Sequence, residues 1–442
     1  MPKNKKLSQI KSSVFSRSLS MAKLGLNAGF GYASAKLMNF PLEDFINSQA
    51  LSITKEFGEL KGSLMKAGQM LSMYGEHFLP PKAVMVLKTL QSDSPPIDWA
   101  IMRRHLESYL DEQLIEELDI NPESIGSASM GQVHLAVIKA TGQKIALKIQ
   151  YPDIDKAIDS DVAALKKILS LTKILPAGLD LTEVFEEIKT MLRQELDYTL
   201  EARQTTKYRE FIGSDSRYVV PSVFIKYSNS KVLATEYLDG LKSDHALVQN
   251  LSEARRNKLS ENFIELYFKE IFDWNFVQTD PHLGNYKIQI DSMGSDRLVL
   301  LDFGATKKFS SVFMENYRKM IKGCIIEDTE TFMAGARGLG FVIDNDTPEY
   351  VKTFQAFCYE TVEPFKAPDN YNWKMTNLPK RVVKSAIQFK NFELRSPPRD
   401  ILFLDRKTAG VFTFLSVLGA NINARKIIDP YLNNISKRAS EP

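Results

Sequence analysis

Between residues 55 and 90, apolar or small residues recur every third or fourth position: Leu60, Leu64, Met65, Gly68 and Leu71, then Val84, Leu87 and Leu90 around Pro80-Pro81. That spacing predicts helix with one buried face. Ser94-Pro95-Pro96 ends the segment, and a second helical period from about Asp98 to Leu118 carries Met102, Leu106, Tyr109, Leu110 and Leu114 on its face. After Asn121-Pro122 the period shortens to two. Gln132 to Ile138 and Lys144 to Ile149, separated by a turn at Thr141-Gly142, are expected to pair as strands.

A single long amphipathic helix is expected from about Leu181 to Phe211, its stripe formed by Leu181, Val184, Phe185, Ile188, Met191, Leu192 and Leu196. Tyr218 to Ile225 and Lys231 to Tyr237 read as two more strands, ending at Leu238-Asp239-Gly240. Beyond them the pattern is mainly helical. Glu253 to Asp273 predicts one long helix, and only Tyr286 to Ile290 and Leu298 to Leu301 are expected to be extended. A strand-rich half followed by a helical half implies an α+β chain of two lobes with a hinge near Glu236 to Gly240. The expected division is a tail over 1–45, a helical extension over 46–118, a strand-rich lobe over 119–240 and a helical lobe over 241–442.

Composition changes this picture little: 442 residues with 44% hydrophobic and 25% charged side chains are ordinary for a globular protein. Charge adds one asymmetry. Lys3, Lys5, Lys6, Lys11, Arg17, Lys23 and Lys36 precede the first acid, Glu43. Such a basic, Ser-rich end either contacts anionic lipid headgroups, at about 1 kcal/mol per basic residue, or is a solvated tail. Leu24 to Ala35 is shorter than the roughly 20 residues of a membrane-spanning helix, and no secretory signal is recognisable. A lone Arg in the first 30 residues weakens a mitochondrial transit-peptide reading. Cys324 and Cys358 lack metal-ligand spacing and are too few for a disulfide framework, which fits a reducing compartment. A nucleic-acid partner is not expected.

The candidate chemistry begins at Gly126-Ser127-Ala128-Ser129-Met130-Gly131-Gln132-Val133, which follows the G-x-G-x-x-G-x-V pattern of a kinase phosphate-covering loop with Ala128 at the middle glycine. Small residues let backbone N–H groups approach phosphate oxygens, and they also fill ordinary tight turns. Gly126, Ala128, Ser129, Gly131 and Val133 are therefore candidate nucleotide contacts. The loop opens the first of two expected strands, and Ala146-Leu147-Lys148 lies in the second, where a kinase carries the lysine that pairs with nucleotide phosphates. Ala146, Lys148 and Gln150 share one side of that strand, so alternation alone leaves Lys148 facing either a cleft or water. The following helix offers Glu195, Asp197 and Glu201. On one helix Asp197 and Glu201 share a face, while Glu195 and Asp197 lie about 200° apart; one acid can then pair with Lys148, or the set is a solvated face.

The strongest signal is Gln278-Thr279-Asp280-Pro281-His282-Leu283-Gly284-Asn285, followed by the apolar run Leu298-Val299-Leu300-Leu301 and Asp302-Phe303-Gly304. An Asp with an Asn five positions on, then a short strand ending in D-F-G, is the order of the kinase catalytic loop and metal site. Magnesium prefers hard oxygen ligands, which the Asp302 carboxylate and the Asn285 amide provide. Asp280 is placed to orient or deprotonate an attacking hydroxyl or water. His282 is expected to be structural, because phosphoryl transfer relies on positioning and metal electrostatics rather than on an imidazole.

With these motifs the chain resembles the UbiB-type (AarF-related) atypical kinases, a group that includes the mitochondrial kinase-like proteins of ubiquinone biosynthesis. Lys66-Ala67-Gly68-Gln69 matches the family's K-x-G-Q motif, Gln91-Ser92-Asp93 falls at a second motif of the same extension, Ala128 suits its Ala-rich phosphate loop, and Glu195-Leu196-Asp197 matches its E-x-D motif. The resemblance implies a two-lobed protein-kinase-like fold whose N-terminal helical extension carries Lys66 and Gln69. It implies that Glu201 pairs with Lys148, that Glu236 and Leu238 add nucleotide contacts at the hinge, and that Lys66 and its helix cover the cleft, face Glu195 and Asp197 and block a protein substrate. After Asp302-Phe303-Gly304 the chain enters an expected helix, Val312 to Cys324, with no A-P-E element, leaving little room to dock a peptide.

The implied function is an atypical kinase or ATPase that uses ATP and Mg2+ in support of ubiquinone or another isoprenoid quinone. Its implied partners are a quinone precursor or other small lipid, a membrane surface contacted peripherally and a biosynthetic complex. A protein serine/threonine kinase and a non-catalytic ATP-binding scaffold are the alternatives. The expected location is cytoplasmic at the inner membrane face or, alternatively, on the mitochondrial matrix side. The bacterial branch of the family often ends in hydrophobic spans, whereas Gly410 to Ile428 is amphipathic and Asn433 to Pro442 is polar, so integral insertion is not expected.

Overall fold

The computed structural model describes residues 63–75, 96–128, 130–171, 181–388, 392 and 399–433. The basic N-terminal stretch, Gln91-Ser92-Asp93, Ser129 and the run after Asn433 lie outside the described residues. The chain forms two compact units: residues up to Thr206 with Pro221–Tyr237, and Lys207–Val220 with the residues from Leu238 onward.

The first unit is built on an antiparallel sheet. Strands β1 (Leu118–Ala128), β2 (Gly131–Ile138) and β3 (Lys144–Gln150) lie side by side. Alternation sets their faces: Ile145, Leu147 and Ile149 of β3 are buried, while Ala146 and Lys148 lie on its half-buried side. Strand β1 was not expected, because Asn121-Pro122 reads as a breaker. The ladder accommodates Pro122 by shifting register between Ile120 and Ser124, the bulged position at which a strand tolerates a residue without an N–H.

Helix α1 (Ser63–Gly75) buries Leu64, Ala67, Met70 and Leu71. The expected helix from Asp98 to Leu118 is instead α2 (Trp99–Tyr109) and one further turn, Glu112–Glu116, parted where Leu110 adopts an extended backbone. Helix α3 (Ile154–Leu171) is an element with no counterpart in the sequence reading, although its buried Ile154, Ile158, Val162, Leu165 and Leu169 have helical spacing. α1 packs against α3 and α4 (Thr182–Glu195). The long helix expected from Leu181 to Phe211 is two helices, α4 and α5 (Tyr198–Ile212). Asp197 ends the continuity: its carboxylate accepts the backbone N–H groups of Thr199 and Leu200 at 3.0 and 3.2 Å, capping α5. The common face expected for Asp197 and Glu201 therefore does not form.

The strand expected from Tyr218 to Ile225 is also divided. Only Tyr218–Val219 (β4) is a strand, and it pairs in parallel with a strand of the second unit. Pro221 supplies no N–H for a continuous ladder. Val223 then bridges to Thr235 of β5 (Val232–Glu236), which completes the first sheet in the order β1-β2-β3-β5.

In the second unit α6 (Glu253–Phe268) runs directly into a π turn, Lys269–Asp273, closed by the Trp274 N–H to the Lys269 carbonyl at 2.9 Å. Two small sheets follow. β6 (Phe276–Gln278) pairs with β9 (Thr306–Lys308), and β4 lies beside β8 (Arg297–Leu300), which pairs with β7 (Tyr286–Gln289). The helix expected over Val312 to Cys324 is α7 (Ser311–Ile326), opened by the Ser310 hydroxyl accepting the Phe313 N–H. Near the C-terminus α8 (Arg399–Leu418) and α9 (Ala424–Asn433) share the expected stretch Gly410 to Ile428, separated at Gly419, whose φ of +64° suits glycine. Among the described residues no helix is long and apolar enough to cross a membrane.

Candidate active site

In the first unit, β3 and α5 bring Lys148 and Glu201 together. The ammonium donates to both carboxylate oxygens at 2.9 Å, and lies 4.9 Å from the centre of the Tyr198 ring. Glu201 is the acid that faces Lys148 because Asp197 starts α5 and sets its phase. Lys148 keeps 15% of its side chain exposed, against 5% for Glu201. The loop residues end the adjoining hairpin: Ala128 pairs with Gly131, and Val133 lies opposite Lys148 in the ladder. Gly126 has open space where a Cβ would stand, whereas a Cβ on Gly131 would come within 2.5 Å of the Ile149 carbonyl oxygen and 2.7 Å of the Tyr198 hydroxyl. That close approach alone requires glycine at position 131. Glu236 accepts both the N–H and the hydroxyl of Ser222, and Leu238, half-buried, opens the next stretch of the second unit.

Lys66 points from α1 to Glu195, at the end of α4, with Nζ 2.8 Å from Oε1. The same helix is fixed by Ser63, whose hydroxyl donates to Asp161 of α3 at 2.5 Å. Gln69 is half-buried on α1. Glu195 and Asp197 thus part company: one meets Lys66, and the other, exposed, caps α5.

The second unit gathers Asp280, Asn285 and Asp302 around the ends of β6, β7 and β8. Asn285 Nδ2 donates to the Asp280 carbonyl at 2.9 Å, which turns the amide oxygen away from that carbonyl. Asp302 has a φ of +33°, outside the usual regions for a residue with a Cβ, and its carboxylate accepts the Gly304 N–H at 3.1 Å. Strained backbone of this kind persists where the surroundings fix it, often at functional sites. Gln278 provides one such restraint, since Nε2 donates to the carbonyls of both Asp280 and Asp302, at 2.7 and 3.3 Å. Phe303 is buried against Tyr208, with ring centres 4.5 Å apart. His282 is exposed and accepts the Gly284 N–H at 3.1 Å, a local capping role.

Sequence reasoning missed the residue beside Asp280. Arg406, on α8 and 126 positions away, places Nη2 2.6 Å from Asp280 Oδ1. Helical periodicity identifies buried faces and says nothing of which loop a flanking Arg will reach. One signal was available next to it: Lys407 stands on the stripe of Leu404, Val411 and Phe414, all buried, where an apolar residue is the rule.

A family model described as the ABC1 atypical kinase-like domain matches residues 89–335, more than half of the chain. The mitochondrial atypical kinase coq-8 of Caenorhabditis elegans is 32% identical over 369 residues, covering 82% of this chain and 48% of that protein. The mitochondrial atypical kinase COQ8 of Saccharomyces cerevisiae is 27% identical, with 85% and 74% covered, and the probable serine/threonine-protein kinase abkA of Dictyostelium discoideum is 27% identical, with 88% and 71% covered. The chain thus spans about half the length of the worm relative it matches. A Mycobacterium tuberculosis protein solved in complex with erythromycin shares the fold, with a TM-score of 0.61 at 23% identity over 88% of this chain and 96% of that one.

Proposed function

The chain belongs to the ABC1 atypical kinase-like family, and from that premise we propose that it is an atypical kinase or ATPase that binds Mg-ATP and supports synthesis of ubiquinone or a related isoprenoid quinone. Its acceptor is a small molecule, a membrane lipid or water rather than a protein. The observation that carries this is the set Asp280, Asn285 and Asp302, tied together by the side-chain amides of Asn285 and Gln278, which donate to the Asp280 and Asp302 carbonyls. Asn285 and Asp302 contribute an amide and a carboxylate oxygen, the hard donors magnesium takes together with phosphate oxygens and water. When bound, the ion supplies charge neutralisation at the phosphates.

The remaining roles belong to the chain. Lys148, held by Glu201 and with 15% of its side chain exposed, engages phosphate oxygens. Backbone N–H groups around Gly126, Ala128 and Gly131 cover the phosphates, and the hinge residues Glu236 and Leu238 contact the base. Asp280 orients the attacking hydroxyl and takes its proton, while Arg406 fixes the carboxylate. Between Gly304 and Ser311 the chain is used up by β9 and the cap residue Ser310, which supports an acceptor smaller than a peptide segment. The mitochondrial compartment in the names of the worm and yeast relatives favours a matrix-side location, with the basic N-terminal stretch at the membrane surface.

The test is phosphate release and transfer from labelled ATP, with quinone precursors and anionic liposomes present, by wild type and Asp302→Asn. Wild type is expected to release phosphate or label the small-molecule or lipid fraction, and Asp302→Asn to do neither. Binding of Mg-ATP without turnover would favour the scaffold, and label in added protein would favour a protein kinase.

A further inference from the structure

Beneath the catalytic loop of the second unit lies a polar network that none of these roles uses. Lys407 of α8 and Glu270 of the π turn form an ion pair at 2.6 Å, exposed by only 2% and 0%. Glu270 accepts the Tyr208 hydroxyl at 2.9 Å and the backbone N–H of Gln278 at 3.0 Å. The Gln278 amide oxygen accepts the Tyr286 hydroxyl at 2.7 Å and lies 3.4 Å from the Lys407 ammonium. Burial pushes both tyrosine hydroxyls well above their ordinary pKa, so they remain protonated donors. With its oxygen held, the Gln278 side chain has only its NH2 group left, and that group bridges the carbonyls of Asp280 and Asp302.

We infer that Glu270 and Lys407 are positioning residues which, by orienting Gln278, set the spacing of Asp280 and Asp302, a role that presupposes the Mg-ATP chemistry proposed above. Four features of the chain agree with it. A buried ion pair is weak ground for stability, since apolar residues of similar volume often do as well or better. The turn bearing Glu270 is π-helical, an irregularity frequent at functional sites. One turn beyond Lys407, Gly410 abuts Pro281, where a Cβ would fall 2.2 Å from the proline ring, so α8 is pressed against the residue that follows Asp280. A water-sized cavity borders the same residues, lined by Tyr208, Gln278, Asn285, Asp302 and Lys407, so the network reaches the two proposed metal donors.

The experiment is a Mg2+ titration of ATP binding by the full chain. The double variant Glu270→Gln/Lys407→Met removes both charges together. It is expected to melt at or above the wild-type temperature yet to need about tenfold more Mg2+ for half-maximal ATP binding, as loss of a supporting shell does. Its affinity for ATP without Mg2+ should match wild type. Tyr286→Phe, which keeps the ring and removes the hydroxyl's hydrogen bonds with Gln278 and Lys407, should raise the requirement by about threefold to fivefold, and it decides the matter if the double variant does not fold. A purely structural network would move the melting temperature and leave the Mg2+ requirement unchanged, overturning the inference. No Mg2+-dependent binding by wild type itself would overturn the inference and the proposed function together.

Discussion

Each unit contains a lysine–glutamate pair contributed by segments distant in sequence, and the two differ in their access to water. Lys148 and Glu201 keep 15% and 5% of their side chains exposed, whereas Lys407 and Glu270 keep 2% and 0%. A partly open pair gives up less hydration, and its lysine keeps some contact with solvent. A closed pair has no water to turn to, and removing one member strands a buried charge. The first arrangement suits contact with a ligand, and the second suits support of residues that make such contact.

The contrast is sharpest in stability. Lys407→Met alone strands Glu270 and is expected to destabilise the protein by about 3–5 kcal/mol in chemical denaturation. Lys148→Met should cost less, because Lys148 is the more exposed lysine of the two, although Glu201 is itself only 4% exposed; an equal loss would break the comparison. The more open pair should matter most for chemistry: Lys148→Met is expected to lower ATP turnover by at least about a hundredfold, equivalent to roughly 2.7 kcal/mol, with a smaller fall in melting temperature than Lys407→Met.

Smaller effects test the surroundings of each pair. Gly131→Ala forces a methyl group against the Ile149 carbonyl and the Tyr198 hydroxyl, and should cost about 1–3 kcal/mol in stability. If it is neutral, the packing of Tyr198 beneath Lys148 is looser than described. The smallest change is expected at a surface cluster of the second unit. Hydrogen bonds from Arg217, opposed by partial burial and reinforced by Lys269, hold the Asp215 carboxyl well below its usual range. A depressed folded pKa adds stability that is fully present above the unfolded value of about 3.9 and is lost as pH falls through the folded one. Asp215→Asn should therefore cost about 1 kcal/mol at neutral pH, with the difference shrinking in acid. A constant difference across the acid range would assign the effect to packing rather than charge.

Legibility in the sequence followed how local each signal is. The β2–β3 pair, Lys148 and the spacing from Asp280 through Asn285 to Asp302 are set by adjacent residues, and all are placed where pattern and motif order put them. Strand β1 escaped because a bulge lets Pro122 sit inside it. The break between α4 and α5 escaped because apolar periodicity continues across it, although Asp197 is a residue type that caps helices. Arg406 and the Glu270–Lys407 pair join segments more than 120 positions apart, and no local pattern encodes which distant charge completes a buried network.

The most direct measurement is calorimetric titration of wild type and Asp302→Asn with ATP, with and without Mg2+. Wild type is expected to bind ATP more tightly when Mg2+ is present, and Asp302→Asn to lose that enhancement while retaining metal-free binding. Equal Mg2+ enhancement in the two proteins would contradict the assignment of Asp302 as a metal donor and, with it, the kinase-type chemistry proposed for this chain.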